Sequence, residues 1–193
     1  TFVAPANAIR YTGAWPVFID ADARFWQLDP DKLGAFLQHE CHSVGGELRN
    51  KVSGRRVAAI VPVHILGHPV DMDAILSLAQ EHGIPVIADA AESLGAQYKG
   101  RRIGAQGDIA CFSFNGNKVI TTGGGGMIVT DNDKLAEKAR YLTTQAKDDP
   151  IEYIHDNIGY NYRLTNIQAA VGVAQLEQLD AYVAAKQKIA ARY

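Results

Sequence analysis

The sequence predicts an α/β fold with a mostly parallel central sheet flanked by helices. Short apolar runs alternate with amphipathic segments along the whole chain, which is the pattern of repeated strand–helix units. The apolar runs are rich in Val and Ile and most lack polar alternation, as strands covered on both faces do. Helix start and stop signals stand between them.

Strands are expected at residues 16–20, 57–63, 85–89, 109–114 and 127–130. Helices are expected at 30–41, 71–82, 132–142 and from 165 to the last residue. Asp29-Pro30 supplies a cap followed by a proline at the first helical position, and Asp71 and Asp131 offer caps of the same kind. Gly83-Ile84-Pro85 ends the second helix and feeds the third strand. Residues 47–56 are polar and turn-rich and carry Arg49, Lys51, Arg55 and Arg56. They read as a solvated hairpin or loop rather than a phosphate-binding patch. Cys41 falls at the end of the first of these helices, and Cys111 reads as a core thiol in Ile109-Ala110-Cys111-Phe112.

Composition narrows the function classes. The 193 residues are 47% hydrophobic and 21% charged, an ordinary globular balance. Nineteen basic residues face 21 acidic ones, for a net charge of −2. Nucleic-acid binding is not expected, because phosphate backbones select clustered positive charge. The longest nearly uncharged apolar stretch, 57–67, is far short of the roughly 20 residues a spanning helix needs. Two cysteines with no CxxC pair predict neither a disulfide framework nor a zinc site, and a reducing, cytoplasmic location fits them best. The chain opens at Thr1 inside an apolar segment and stops at Tyr193 in a helical pattern, so one domain, a lobe of a larger protein, is the expectation.

In parallel sheets, ligands gather beyond the carboxyl ends of the strands. Asp89 closes one such strand, Ser113 lies near the end of another, and Lys118 follows in the turn Asn115-Gly116-Asn117-Lys118. Singly, each has a plain reading: Asp89 could cap a helix, Ser113 could be a filler, and Lys118 could be solvated. Together they suit pyridoxal 5'-phosphate. A lysine amine forms a Schiff base with an aldehyde and can then shuttle a proton. A carboxylate at the pyridine nitrogen keeps that nitrogen protonated and the ring electron-accepting. A serine hydroxyl and backbone N–H groups bind phosphate. The run Gly123 to Gly126 lacks the Gly-Lys-Ser/Thr ending of a nucleotide loop; it reads as a turn needing positive φ or close backbone approach beside a ligand. His64 follows a strand and could face the site or be hydrogen-bonded within the turn. No pair among His64, His68 and His155 has metal-ligand spacing on a shared helix, so no metal is expected.

These residues sit in a longer series of motifs. Thr1-Phe2-Val3-Ala4-Pro5-Ala6-Asn7 is followed by Pro62-Val63-His64-Ile65-Leu66-Gly67-His68-Pro69-Val70-Asp71 and Asp89-Ala90-Ala91-Glu92-Ser93-Leu94-Gly95-Ala96. Then come Phe112-Ser113-Phe114-Asn115-Gly116-Asn117-Lys118, Thr121-Thr122-Gly123, and Gly159-Tyr160-Asn161-Tyr162-Arg163-Leu164-Thr165-Asn166. In this order and over essentially the whole length, the chain resembles the DegT/DnrJ type of pyridoxal-phosphate-dependent nucleotide-sugar aminotransferases. The resemblance implies the large-domain portion of the type I aspartate aminotransferase fold, with an N-terminal segment and a C-terminal small domain lying outside these 193 residues. It implies Lys118 as the Schiff-base lysine, Asp89 as the partner of the pyridine nitrogen and Ser113 as a phosphate ligand. Asn161 matches an asparagine that reaches the cofactor phosphate of the neighbouring subunit, which implies a homodimer with shared sites. On residues alone, Asn161 could equally cap the helix beginning near Thr165. Glu92 matches a position that often holds glutamine near the ring hydroxyl; a carboxylate there repels a phenolate unless protonated or turned away.

The implied reaction moves an amino group from a donor, glutamate, to a keto carbon, C4, of a nucleotide-linked deoxy sugar. The 47–56 excursion and the Asn-Gly-Asn-Lys turn look like the subgroup acting on UDP-linked 4-keto-6-deoxy-2-acetamido sugars of bacillosamine and legionaminic acid pathways. Two rivals stand beside it. A sugar dehydratase on the same scaffold typically carries histidine in place of the lysine, which Lys118 opposes. A cofactor-binding sensor without chemistry would have no need of Lys118, Asp89 and Ser113 together.

Overall fold

The computed structural model describes residues 2–104, 106–149 and 151–193. Helix α1, Val3–Tyr11, opens the chain; Pro5 falls within its first turn, where a missing N–H costs no intrahelical bond. Residues 16–20 form no strand. Asp29 then caps α2, Pro30–Ala35, accepting the N–H groups of Asp31 and Lys32 at 2.9 and 3.3 Å, and a wider turn, Phe36–Glu40, prolongs it. Cys41 begins a strand rather than ending a helix. β1, Cys41–Val44, pairs antiparallel with β2, Glu47–Asn50, and Arg56 bridges back antiparallel to Arg49, so the basic excursion is a hairpin.

Helix α3, Met72–His82, is capped by Asp71 and closed by Gly83 in the left-handed conformation (φ 63°). Its Met72, Ile75 and Ala79 are buried against Leu33, Leu37, Val70 and Val86. Side chains the size of Met72 and Ile75 contribute about 2 kcal/mol each when fully buried. This cluster fixes the helices to the edge of the sheet.

The sheet itself is built from β3, Ile87–Asp89, β6, Ile109–Ser113, and β7, Gly126–Val129. Between β3 and β6 lies a small two-strand ribbon, β4, Gln97–Tyr98, paired with β5, Arg101–Arg102. β3 and β6 are parallel, and β7 returns antiparallel on the far side of β6. The expected strand at 57–63 is present only as bridges running parallel to β3. Ile60 donates to Pro85 O and His64 donates to Asp89 O, while Ile60 O and Pro62 O accept from Ile87 and Asp89. The bond missing from that ladder is the one Pro62 cannot donate, having no N–H.

Register sets the two faces. Ala88 pairs with Ala110, and Asp89 pairs with Cys111. Ala88, Ala90 and Ala110 are buried on one face, and Asp89, Cys111 and Ser113 are half-buried on the other. After β7 come α4, Asp133–Thr143, α5, Asn166–Leu176, and α6, Leu179–Ala190. Asn132, not Asp131, caps α4 through the N–H groups of Lys134 and Leu135. The single helix expected from residue 165 is two, because buried Leu179 turns the chain after Leu176 to pack on Phe114 and Ile120. Among the described residues, no helix is long and apolar enough to cross a membrane.

Candidate functional site

Parallel pairing brings the carboxyl ends of β3 and β6 to one edge. Asp89 ends β3, and Ser113 ends β6 two residues beyond Cys111, its partner across the ladder. Because the side chains of a strand alternate, Asp89, Cys111 and Ser113 leave the same face. Asp89 Oδ1 accepts the Ala91 N–H at 3.1 Å, and Ser113 Oγ accepts the Asn115 N–H at 3.3 Å. Each side chain therefore tightens the turn that follows it.

The loop carrying Lys118 is held from both sides. The Lys118 N–H donates to Asn115 O at 3.1 Å, and Phe114 O accepts from Thr122 N–H and from Thr121 Oγ at 3.0 and 3.1 Å. Ile120 is buried with Phe114 and Leu179. The glycine run then brings the chain back against β6. Gly125 has φ +88°, and a Cβ there would lie 2.4 Å from Leu164 Cδ2. At Gly126 a Cβ would lie 2.3 Å from Phe112 O, so strand pairing itself demands glycine. These glycines shape the loop, as the sequence suggested. The Lys118 side chain is largely enclosed, and its Nζ lies 3.6 Å from Glu92 Oε1, on the turn after β3.

Four of the five expected site residues thus converge: Asp89 and Ser113 on paired strands, Lys118 and Glu92 across the two turns. Asn161 does not join them within this chain. It is exposed, bridges Thr144 in an isolated antiparallel pair, and is flanked by Tyr160 and Tyr162, whose rings stack at 5.0 Å. Thr165, rather than Asn161, caps α5, with Gln168 closing a capping box.

The three histidines that the sequence singled out have structural places. His64 Nδ1 accepts the Val70 N–H at 3.2 Å and the ring is buried, which pushes its pKa down to about 4. Of the two readings of His64, the turn hydrogen bond is the one observed. His68 stacks on Phe25, and His155 Nδ1 lies 2.8 Å from Gln145 O. Among the described residues no cluster of three His, Cys, Asp or Glu side chains could hold a metal ion. Cys111 faces the site edge rather than the core. Burial, with the Asp89 charge adding to it, pushes its thiol pKa up, so it is a poor nucleophile.

The donor set can be tested against the group that the sequence suggested. An enclosed amine, a strand-end carboxylate and a hydroxyl beside backbone N–H groups match an aldehyde, a protonated ring nitrogen and a phosphate in turn, so the residues fit. The comparison with protein families decides the relationship: all of residues 1–193 match the DegT/DnrJ/EryC1/StrS aminotransferase family. The chain belongs to this family. DegT/DnrJ/EryC1/StrS relatives include GDP-perosamine synthase of Caulobacter vibrioides, 46% identical over 193 residues, all of this chain and 48% of that protein. Another is the UDP-N-acetyl-3-dehydro-alpha-D-glucosamine 3-aminotransferase of Acidithiobacillus ferrooxidans, 39% identical over 194 residues, with 48% of that protein covered. Among solved structures, a family aminotransferase from Brucella abortus superposes with a TM-score of 0.89 at 30% identity, over all of this chain and 49% of that one. S. venezuelae DesV gives 0.80 at 37% identity, over 94% of this chain and 44% of that one. The chain spans about half the length of the curated relatives it matches. The type I fold expected for the family is the fold observed.

Proposed function

We propose that this protein is a pyridoxal-5'-phosphate-dependent aminotransferase that places an amino group, taken from glutamate, on a keto carbon of a nucleotide-linked deoxy sugar. The observation that carries the reading is the convergence of Lys118, Asp89 and Ser113 on one sheet edge. The family's nucleotide-sugar members support the substrate class: one relative is named for a GDP-linked sugar and one for a UDP-linked sugar. C4 amination remains the assignment for this chain, on the motif resemblance described above.

When bound, the cofactor supplies an electron-accepting ring and a reactive aldehyde. Lys118 Nζ would be the amine that anchors such an aldehyde, and as a free amine it could hold or move a proton at Nζ. Asp89, at the end of β3, would accept the ring N–H, and a negative charge at hydrogen-bond distance would favour the protonated ring. Ser113 Oγ and the N–H groups of its turn would hold the phosphate, and Glu92 stands beside the Lys118 amine. Asn161, exposed between two stacked tyrosines, reaches the partner subunit's phosphate in a twofold dimer. Exposed Phe18, Trp26, Ile158 and Ile167 supply apolar surface for such a contact. Free Cys41 and Cys111 fit a cytoplasmic enzyme.

The test uses the full-length protein with pyridoxal phosphate, reduced with borohydride and digested. The label is expected on the Lys118 peptide alone; a label on Lys99 or Lys147 overturns the assignment. Incubation with glutamate and UDP-, GDP- and dTDP-linked keto sugars, read by mass, identifies the substrate. No gain of an amino group on any of them overturns the reaction.

A further inference from the structure

The Lys118 side chain is 17% exposed, and an ammonium so enclosed needs a counter-charge. Two carboxylates stand three residues apart, Asp89 at the end of β3 and Glu92 on the turn after it. The lysine takes one of them: Glu92 Oε1 lies 3.6 Å from Nζ. Asp89 makes no ion pair among the described residues, and its Oδ1 is engaged by the Ala91 N–H. The other oxygen of Glu92 is also occupied, accepting the Leu66 N–H at 2.7 Å.

That second bond fixes the carboxylate from behind. Leu66 sits in the left-handed region (φ 53°, ψ 24°), which a branched side chain seldom adopts. Gly67 follows at φ +78°, where a Cβ would lie 2.7 Å from Glu92 O. The 65–67 turn is thus seated on both the backbone and the side chain of Glu92. Its N–H aims at one carboxylate oxygen and leaves the other for the lysine.

We propose that Glu92 is a positioning residue that receives the Lys118 ammonium whenever this amine is not attached to the cofactor, and by doing so keeps Asp89 free for the ring N–H. The proposal rests on the cofactor reading above. It divides the work of two neighbouring carboxylates. Without Glu92, the freed ammonium is left with Asp89, at the end of β3, as the other carboxylate of this segment, and an Asp89 engaged by the lysine no longer serves the ring nitrogen. The Leu66 N–H keeps Glu92 oriented while the lysine is away, so the amine returns to a prepared partner.

The experiment measures the amine directly. In full-length protein, cofactor-free and loaded with pyridoxamine phosphate, reductive methylation of Lys118 is followed by peptide mass relative to exposed Lys134. Glu92→Gln keeps an oxygen for the Leu66 N–H and removes the charge. It is expected to raise the relative rate about two- to fivefold, the worth of a partly exposed ion pair. In the wild type, added salt is expected to raise the Lys118 rate by screening the pair, and Glu92→Gln is expected to lose that dependence. Equal rates and equal salt dependence in the two proteins would falsify the proposal, and the wild-type salt series stands even if the variant folds poorly. Borohydride labelling separates the two readings. A label on Lys118 with unchanged methylation sinks the role of Glu92 alone, whereas a label elsewhere sinks the cofactor reading first.

Discussion

Asp89 and Cys111 are Cα partners in the parallel ladder of β3 and β6, so a thiol stands beside the carboxylate on the site face of the sheet. Burial is the larger cause of the raised thiol pKa and the Asp89 charge the smaller. Asp89→Asn removes only the smaller cause. It is expected to speed iodoacetamide labelling of Cys111 about twofold at pH 8, since more thiolate is present at a given pH. Buried Cys41 is the internal control. The same variant is expected to retain some cofactor binding and lose most turnover; wild-type turnover would remove Asp89 from its assigned role.

The proposed sharing of sites between subunits makes a mixing prediction. Lys118→Ala and Asn161→Ala subunits, each nearly inactive alone, are expected to recover part of the activity after exchange. Some mixed dimers then hold one site with both residues intact. If exchange is proven by native mass spectrometry and no activity returns, the two residues serve the same subunit or Asn161 serves only its bridge to Thr144.

Burial of His64 predicts a pH dependence of stability. Its folded pKa of about 4 lies below the usual 6.5, so between these values the unfolded chain binds a proton that the folded chain does not. Stability is expected to fall as pH drops from 6.5 towards 4, by about 3 kcal/mol for this group. His64→Asn, which keeps an acceptor for Val70, is expected to flatten that part of the profile. Urea midpoints at pH 7 and pH 4.5 for both proteins check it, and parallel shifts in the two would refute it.

Gly126→Ala drives a methyl group towards Phe112 O, 2.3 Å away in the present backbone. Strands β6 and β7 must part to admit it. The expected loss is about 1–3 kcal/mol of stability, together with weaker cofactor binding, because Ser113 is the ladder partner of Gly126. Denaturant titration and equilibrium dialysis with pyridoxal phosphate measure the two effects separately.

Local chemistry made parts of this fold legible. Asp29 and Asp71 announce their helices because a cap and the apolar period that follows it are near neighbours in sequence. The strand-end rule likewise singled out Asp89 and Ser113, which the parallel ladder does bring to one edge. Residues 16–20 misled because Val17 and Phe18 have strand composition but are exposed and unpaired among the described residues, and pairing depends on neighbours rather than propensity. The break between α5 and α6 carries no Gly or Pro; it follows from the burial of Leu179 against a distant loop. The meeting of Lys118 with Glu92 joins residues far apart in sequence through the twist of two turns, and no motif spacing encodes that.

The sheet's unlike faces also bear on how this sequence can change over time. Ala88, Ala90 and Ala110 are sealed on one side, while Asp89, Cys111 and Ser113 occupy alternate positions of the same strands on the other. A larger residue in the alanine row meets packed neighbours and threatens the fold whatever the protein does. A polar exchange in the Asp89 row leaves that packing alone and threatens only the chemistry. A library randomised across β3 and β6 and selected for folding alone would therefore hold every second position and let the intervening ones drift. Selection for amino transfer would then recover the positions that drifted.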